Sequence, residues 1–187
     1  DPAMVGFART AKISGLLPAR EPADVIRARR MDYFRSMAAG QGPRLAVIED
    51  IDYPNCIAGW WGEIHVAVHK GLGQVGAITN GVMRDLDVMD AGFPVLAGSI
   101  GPSHGFVHVV EIGGPVSLMG MHISQDELMH ADRHGAIVIP NEIIADLKQA
   151  IETVIANEAI VLGPARAPGF DIERLEKVWA EFEAART

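Results

Sequence analysis

Two acidic residues and an arginine stand at a fixed spacing in the stretch "WGEIHVAVHKGLGQVGAITNGVMRD". Gly62-Glu63 is followed by twenty residues, 64–83, and then by Arg84-Asp85. The carboxylates of Glu63 and Asp85 offer hard oxygens for Mg²⁺ or Mn²⁺, and Arg84 offers a planar fork of N–H donors for an oxygen anion. Free backbone N–H groups at a helix starting after Gly62 would suit a further anionic oxygen. Together these parts suit an oxo acid bound beside a divalent ion. A structural reading stands next to that one. Arg-Asp dipeptides are common, and a Glu in the first turn of a helix is favoured by the helix dipole alone. The residues by themselves leave both readings open.

For these groups to meet, the chain must bring two strand ends together, since ligands of α/β folds bind beyond the carboxyl ends of strands. "LAVIED" reads as a short apolar strand buried on both faces, and "GEIHVAVHKGLG" as a helix ended by glycine. "VGAIT" is a strand, "DLDVMDAG" a short helix and "FPVLAGS" a strand again. This alternation from Arg44 to Ser99 predicts an α/β unit with parallel strands. Ahead of it, Met4 to Ile13 alternates loosely as a strand. Val25, Ile26, Met31, Phe34 and Met37 recur at helical spacing from Ala23 to Ala39, where "GQGPR" stops the helix. Beyond Ser99, "HGFVHVVEIGGPVSLMGMHIS" and "HGAIVIP" predict hairpins or a small barrel-like layer.

Two amphipathic helices are expected at the end, over about 141–157 and 171–185. The first follows Pro140 and carries Ile143, Ile144, Leu147, Ile151, Val154 and Ile155 as an apolar stripe. The second has Leu175, Val178, Trp179 and Phe182 on one face. At 187 residues the expectation is a single domain over 1–187. The opening "DPAMVGFARTAKI" reads as a strand entered from something earlier, so an incomplete or trimmed N-terminus is expected.

The formal net charge of -8 argues against a nucleic-acid partner bound by phosphate neutralisation. Arg27, Arg29 and Arg30 read as a solvated helix face with no assigned function. The single cysteine, Cys56, excludes an internal disulfide and a Cys-based zinc cage, which points to a reducing compartment, the cytoplasm. It sits in the apolar "YPNCIAG" and reads as a structural thiol. No run approaches the ~20 apolar residues of a membrane span.

Other residue types could also carry chemistry. Lys70 and Lys148 lie in helices without an apolar pocket, so an imine mechanism is not expected. His65 and His69 are four apart and share a helix face, but no third ligand stands at a zinc spacing, and His65 reads as a pocket-lining residue. His104 and His108 favour a loop or core role. Trp60 and Trp61 are core residues or a pocket wall. "GSIGPSHG" lacks the lysine of a phosphate loop and reads as a mobile loop.

On these residues the sequence resembles the RraA-like family, which comprises the regulator of ribonuclease activity A and the class II pyruvate aldolases acting on 4-hydroxy-4-methyl-2-oxoglutarate and 4-carboxy-4-hydroxy-2-oxoadipate. "VGFARTAKI" is similar to the family's opening strand, "AITNGVMRDLDVMDAGFPVLAGS" to its central segment, and "QDELMHADRHGAIVIP" to its closing strand pair. Gly62-Glu63, twenty residues, then Arg84-Asp85 follows the aldolase branch's Gly-Asp, twenty residues, Arg-Asp. There are three departures. Glu63 replaces Asp, "ISQDEL" replaces a common Pro-Gly-Asp turn while keeping Asp126, and Asn80 replaces a frequent Asp before "GVMRD".

The resemblance implies a layered β/β/α swivelling-domain fold of the α/β class, in a homotrimer or a dimer of trimers with sites between subunits. It implies a metal-dependent lyase that releases pyruvate from a 4-hydroxy-2-oxo acid, with oxaloacetate decarboxylation as a related activity. By the same resemblance Asp85 is the direct ligand of Mg²⁺ or Mn²⁺, Glu63 holds a metal-bound water, and Arg84 contacts the substrate's keto or enolate oxygen. Gly62, Glu63, Ile64, His65 and Arg84 are then the substrate-contacting set. The other branch implies a non-catalytic regulator that binds a ribonuclease.

Overall fold

The computed structural model describes residues 3–186. In chain order the elements of its first part are β1 (Met4–Ser14), α1 (Ala23–Ala38), β2 (Arg44–Asp50), β3 (Gly59–Trp61), α2 (Glu63–Gly71), β4 (Gln74–Thr79), β5 (Val82–Met83), β6 (Val95–Leu96), β7 (Ser99–Ile100), β8 (His108–Ile112), β9 (Val116–Leu118), β10 (Met121–Ile123), β11 (Leu128–Asp132) and β12 (Gly135–Ile139). One sheet runs β12-β11-β1-β2-β4-β6, with β8 also on β1. Strands β1, β2, β4 and β6 are mutually parallel, while β8 and β11 are antiparallel to β1. The eleven-residue β1 is long enough to take both in turn, β11 along Met4–Phe7 and β8 along Ala11–Ser14.

Side chains alternate across a strand, and β2 buries both of its faces. Ala46 and Ile48 join a core with Tyr33 and Met37 of α1, Val66 of α2, and Trp60 and Trp61 of β3. Leu45 and Val47 join a second core with Val116, Leu118 and Ile123 of the β9–β10 hairpin. Helices, central sheet and hairpin therefore form three layers, as the β/β/α expectation required. Arg9, on β1, is buried and ties these layers at one point: its Nη1 donates to Asp126 Oδ1 at 2.8 Å and its Nε to Ser36 O at 3.0 Å. The "ISQDEL" turn is thus held without the glycine of the family pattern, Asp126 itself taking the left-handed φ of 67°.

Two expected elements are corrected. "DLDVMDAG" forms a single turn in which Val88 N and Met89 N both donate to Asp85 O, and the chain does not continue as a helix. The first turn of a helix is costly and needs further turns to offset it; here Gly92 and Pro94 follow within a few residues. "FPVLAGS" yields only the two-residue strand β6 before the chain crosses to β7. β3, β5 and β7 form a small parallel sheet of their own, with β5 in the middle.

Contacts divide the chain into two compact units, Asp1–Pro140 and Asn141–Thr187, where length alone suggests one domain. In the second, a short 3₁₀ turn leads into α3 (Ile144–Ala165), and α4 (Ile172–Ala185) follows. Asp171 caps α4 by accepting the Arg174 N–H at 2.9 Å, and Asn157 Nδ2 donates to Ala185 O at 3.2 Å across the hairpin. α3 runs past the expected end near 157 because the next helix breaker, Pro164, comes only in its last turn. No helix among the described residues is long and apolar enough to cross a membrane.

Candidate functional site

The pairing of β3 with β5 sets Gly59 beside Val82 and Trp61 beside Met83, in parallel. One residue further on, Arg84 N donates to Trp61 O at 2.8 Å. The chain leaves β3 through Gly62 into α2, and leaves β5 into Asp85. Residues 22 apart thereby become neighbours. Asp85 Oδ2 accepts the Glu63 backbone N–H at 3.2 Å and is also paired with Arg84 Nη1. The first N–H groups of a helix lack intrahelical partners, so a carboxylate at this position satisfies a donor and meets the positive end of the helix dipole.

The backbone around this contact is shaped for it. Asp85 has φ 60°, a left-handed conformation that Asp tolerates better than most residues because its short side chain can hydrogen-bond locally. A Cβ on Gly62 would lie 2.5 Å from Asp85 Oδ2 and 3.0 Å from Arg84 Cζ, and one on Gly59 would lie 3.2 Å from Arg84 Cδ. A side chain at either position would crowd Arg84 where it lies across β3. Ser103 O accepts the Gly59 N–H at 2.7 Å, so the "GSIGPSHG" stretch, 98–105, expected to be a mobile loop, is anchored to the start of the same strand. Arg84 Nε is buried without a hydrogen-bond partner.

Behind the polar contact is an aromatic wall. His65, in the first turn of α2, places its ring 4.1 Å from that of Trp60, and its Nδ1 is buried without a partner. Burial first, then the positive charges of His69, Arg30 and Arg84, push it down to about 3. His69 is pushed down to about 4 by burial. Its Nδ1 lies 2.6 Å from His65 O, which can only accept, so Nδ1 carries the proton and Nε2 accepts from Tyr33 Oη at 2.6 Å. Tyr33 Oη in turn receives the Trp60 Nε1–H at 3.3 Å. The two imidazoles do share a helix face, but both nitrogens of His69 are spent on the core.

Of the residues expected to contact substrate, the fold brings together Gly62, Glu63, Arg84 and Asp85, with His65 beside them against Trp60. Ile64 is 69% exposed and joins none of these contacts. Trp60 and Trp61 are buried core. Lys70 and Lys148 pair with Asp90 and Glu152 at exposed positions. His104 and His108 bond backbone carbonyls next to them in the chain. Sequence reasoning missed Gly59 and Ser103, for which only the glycine gave a signal.

Among the described residues no group of three or more His, Cys, Asp or Glu side chains is arranged as a metal cage. The donors at hand instead suit an ion held by one direct carboxylate and water, a common arrangement for Mg²⁺. Asp85, with a side chain 30% exposed, has the access and the hard oxygen for that role, and the exposed Glu63 stands at the adjoining helix start.

The sequence pattern of the RraA-like family, described as Aldolase/RraA, matches residues 2–138. The chain belongs to the RraA-like family. That family holds both aldolase or decarboxylase enzymes and RraA regulators. Solved structures agree on the fold. An uncharacterized protein from Pseudomonas syringae pv. tomato is 22% identical with a TM-score of 0.68, over 96% of this chain and 76% of that one. Streptomyces coelicolor RraAS2, described as an unusual member of the RNase ES inhibitor RraA family, is 22% identical with a TM-score of 0.65, over 84% and 75%. The RNA-processing inhibitor RraA from Thermus thermophilis is 15% identical with a TM-score of 0.54, over 74% and 76%. No curated protein matches the sequence.

Proposed function

We propose that this member of the RraA-like family is a divalent-metal-dependent lyase that cleaves a 4-hydroxy-2-oxo acid and releases pyruvate. The observation that supports it is the meeting of Arg84, Asp85 and the Glu63 N–H where β3 and β5 end. A bound Mg²⁺ or Mn²⁺ would supply positive charge to adjacent carboxylate and keto oxygens of the substrate. Asp85 would be its direct protein ligand, and Glu63 would hold one of its waters. Arg84 would donate to the oxygen that gains negative charge as the carbon–carbon bond breaks, from a guanidinium already held across Gly59 and Gly62. The neutral His65 and Trp60 would wall the pocket without adding charge. Loss of carbon dioxide from oxaloacetate develops charge on the same oxygen, so the same residues would serve it. A homotrimer or hexamer, working in the cytoplasm, belongs to this reading.

The test is pyruvate release from 4-hydroxy-4-methyl-2-oxoglutarate, with Mg²⁺ and after chelation. Release that needs the metal is expected. No release from that substrate or from oxaloacetate, with either Mg²⁺ or Mn²⁺, would sink the reading. The Arg84–Asp85 pairing favours a second one, because each group already neutralises the other's charge: a regulator that binds a ribonuclease. Under that reading purified protein binds the ribonuclease and turns over neither acid.

A further inference from the structure

The cluster of arginines on α1 reads from sequence as solvated surface, yet Arg30 can be placed against α2. Arg29 pairs with Glu21, and Arg35 with Asp32. Among the described residues no acid pairs with Arg27 or Arg30, although the chain carries a net charge of -8.

Three contacts fix where Arg30 sits. Just beyond the end of α2, Gln74 Nε2 donates to Met37 O at 2.6 Å. One turn earlier on both helices, Tyr33 Oη meets His69. Phe34 then places its ring 5.8 Å from His69 and 5.9 Å from His65. The two helices therefore run in the same sense, with successive turns of α1 beside successive turns of α2. Residues four apart lie on one helix face. Stepping back from Phe34 reaches Arg30, as stepping back from His69 reaches His65 and then the start of α2. Arg30 is exposed and lies at the Glu63 end of α2.

We propose that Arg30 is the second cation of this site and takes the far carboxylate of a dianionic oxo acid whose near end lies at Arg84 and Asp85. The proposal rests on reading the site as an oxo-acid site. An arginine fork suits a terminal carboxylate because it can donate two parallel N–H bonds. A substrate ending in a methyl group would leave that fork to water.

The experiment is equilibrium binding in the presence of Mg²⁺, measured calorimetrically, of 2-oxoglutarate and of 2-oxopentanoate, the same five-carbon chain ending in a methyl group. Wild type should prefer the dianion by about tenfold, the scale of one charge-assisted contact. Arg30→Ala should collapse that preference, Arg30→Lys should restore part of it, and Arg27→Ala, on an exposed neighbour, should keep it. If both acids bind and Arg30→Ala retains the wild-type preference, the role of Arg30 is wrong while the oxo-acid site stands. If wild type binds neither acid, the oxo-acid reading fails and Arg30's role falls with it.

Discussion

Two aspartates stand at the ends of parallel strands, and they have opposite fates. Asp85 follows β5, with a half-buried side chain held by an arginine and a helix N–H. Asp50 ends β2 and is 1% exposed. Its Oδ1 accepts the Asp52 N–H at 3.0 Å, while its Oδ2 is buried without a hydrogen-bond partner. Burial raises the Asp50 carboxyl above the usual carboxylate range and pushes the nearby Cys56 thiol up to about 12. Asn80 clamps the Asp50 backbone, accepting its N–H at 2.7 Å and donating to its carbonyl at 3.1 Å. A carboxylate in place of Asn80 could make only the first bond. Position at a strand end thus does not make an acid a ligand. Access to solvent and a cationic neighbour separate the acid proposed as a metal ligand from the acid that supports the frame.

The contrast is broken most forcefully at Asp85. Asparagine keeps the shape, removes the charge, and still tolerates a left-handed backbone, so Asp85→Asn should fold with little change in melting temperature and lose metal-dependent turnover. Activity equal to wild type at matched Mg²⁺ would remove Asp85 from the site. The next effect is at Arg84. Its interaction should strengthen as charge builds on the reacting oxygen, so Arg84→Ala should lower kcat more than it raises KM, by ~2–4 kcal/mol of transition-state stabilisation. Arg84→Lys should recover only part, because lysine keeps the charge without the planar fork. Steady-state kinetics on oxaloacetate decide the matter; a change confined to KM would make Arg84 a binding residue alone.

How far the sequence disclosed this arrangement depended on the length of each signal. Helix α1 and strands β1 and β2 carried enough residues for their periods to show, and the twenty-residue spacing marked the four positions that meet. The strands that bring them together did not show, because β3 has three residues and β5 two, too few for any period. The turn after Asp85 resembles a helix start in composition and is set by a backbone angle that no pattern encodes. The Arg9–Asp126 bond joins residues 117 apart, and the Tyr33–His69 bond crosses from one helix to another. Arg30 was visible only as one of three arginines, since its distinction comes from the way α1 lies along α2.

The smallest effect tests the Asp50 half of the comparison, and its sign can be worked out. In the unfolded chain Asp50 ionises near ~3.9. In the fold, burial keeps its proton on to higher pH. Between those two points the folded state binds more protons than the unfolded one, so stability falls as pH rises through that window and levels off once the folded carboxyl has ionised. Asp50's favourable share is therefore present in acid and lost on the way to neutrality. The buried histidines act in the opposite sense. His65 and His69 stay neutral down to about 3 and 4, while an unfolded histidine takes a proton near ~6.5, so their share of stability is lost as pH falls. A pH profile of wild type alone would mix the two. Subtracting it from that of Asp50→Asn, by urea midpoints across the acid range, cancels the histidines and isolates Asp50. The variant should gain on wild type as pH climbs above ~4 and then run parallel to it. A difference flat across the whole range would show that Asp50 ionises in the fold as it does in the open chain, and the two aspartates would no longer be set apart by burial.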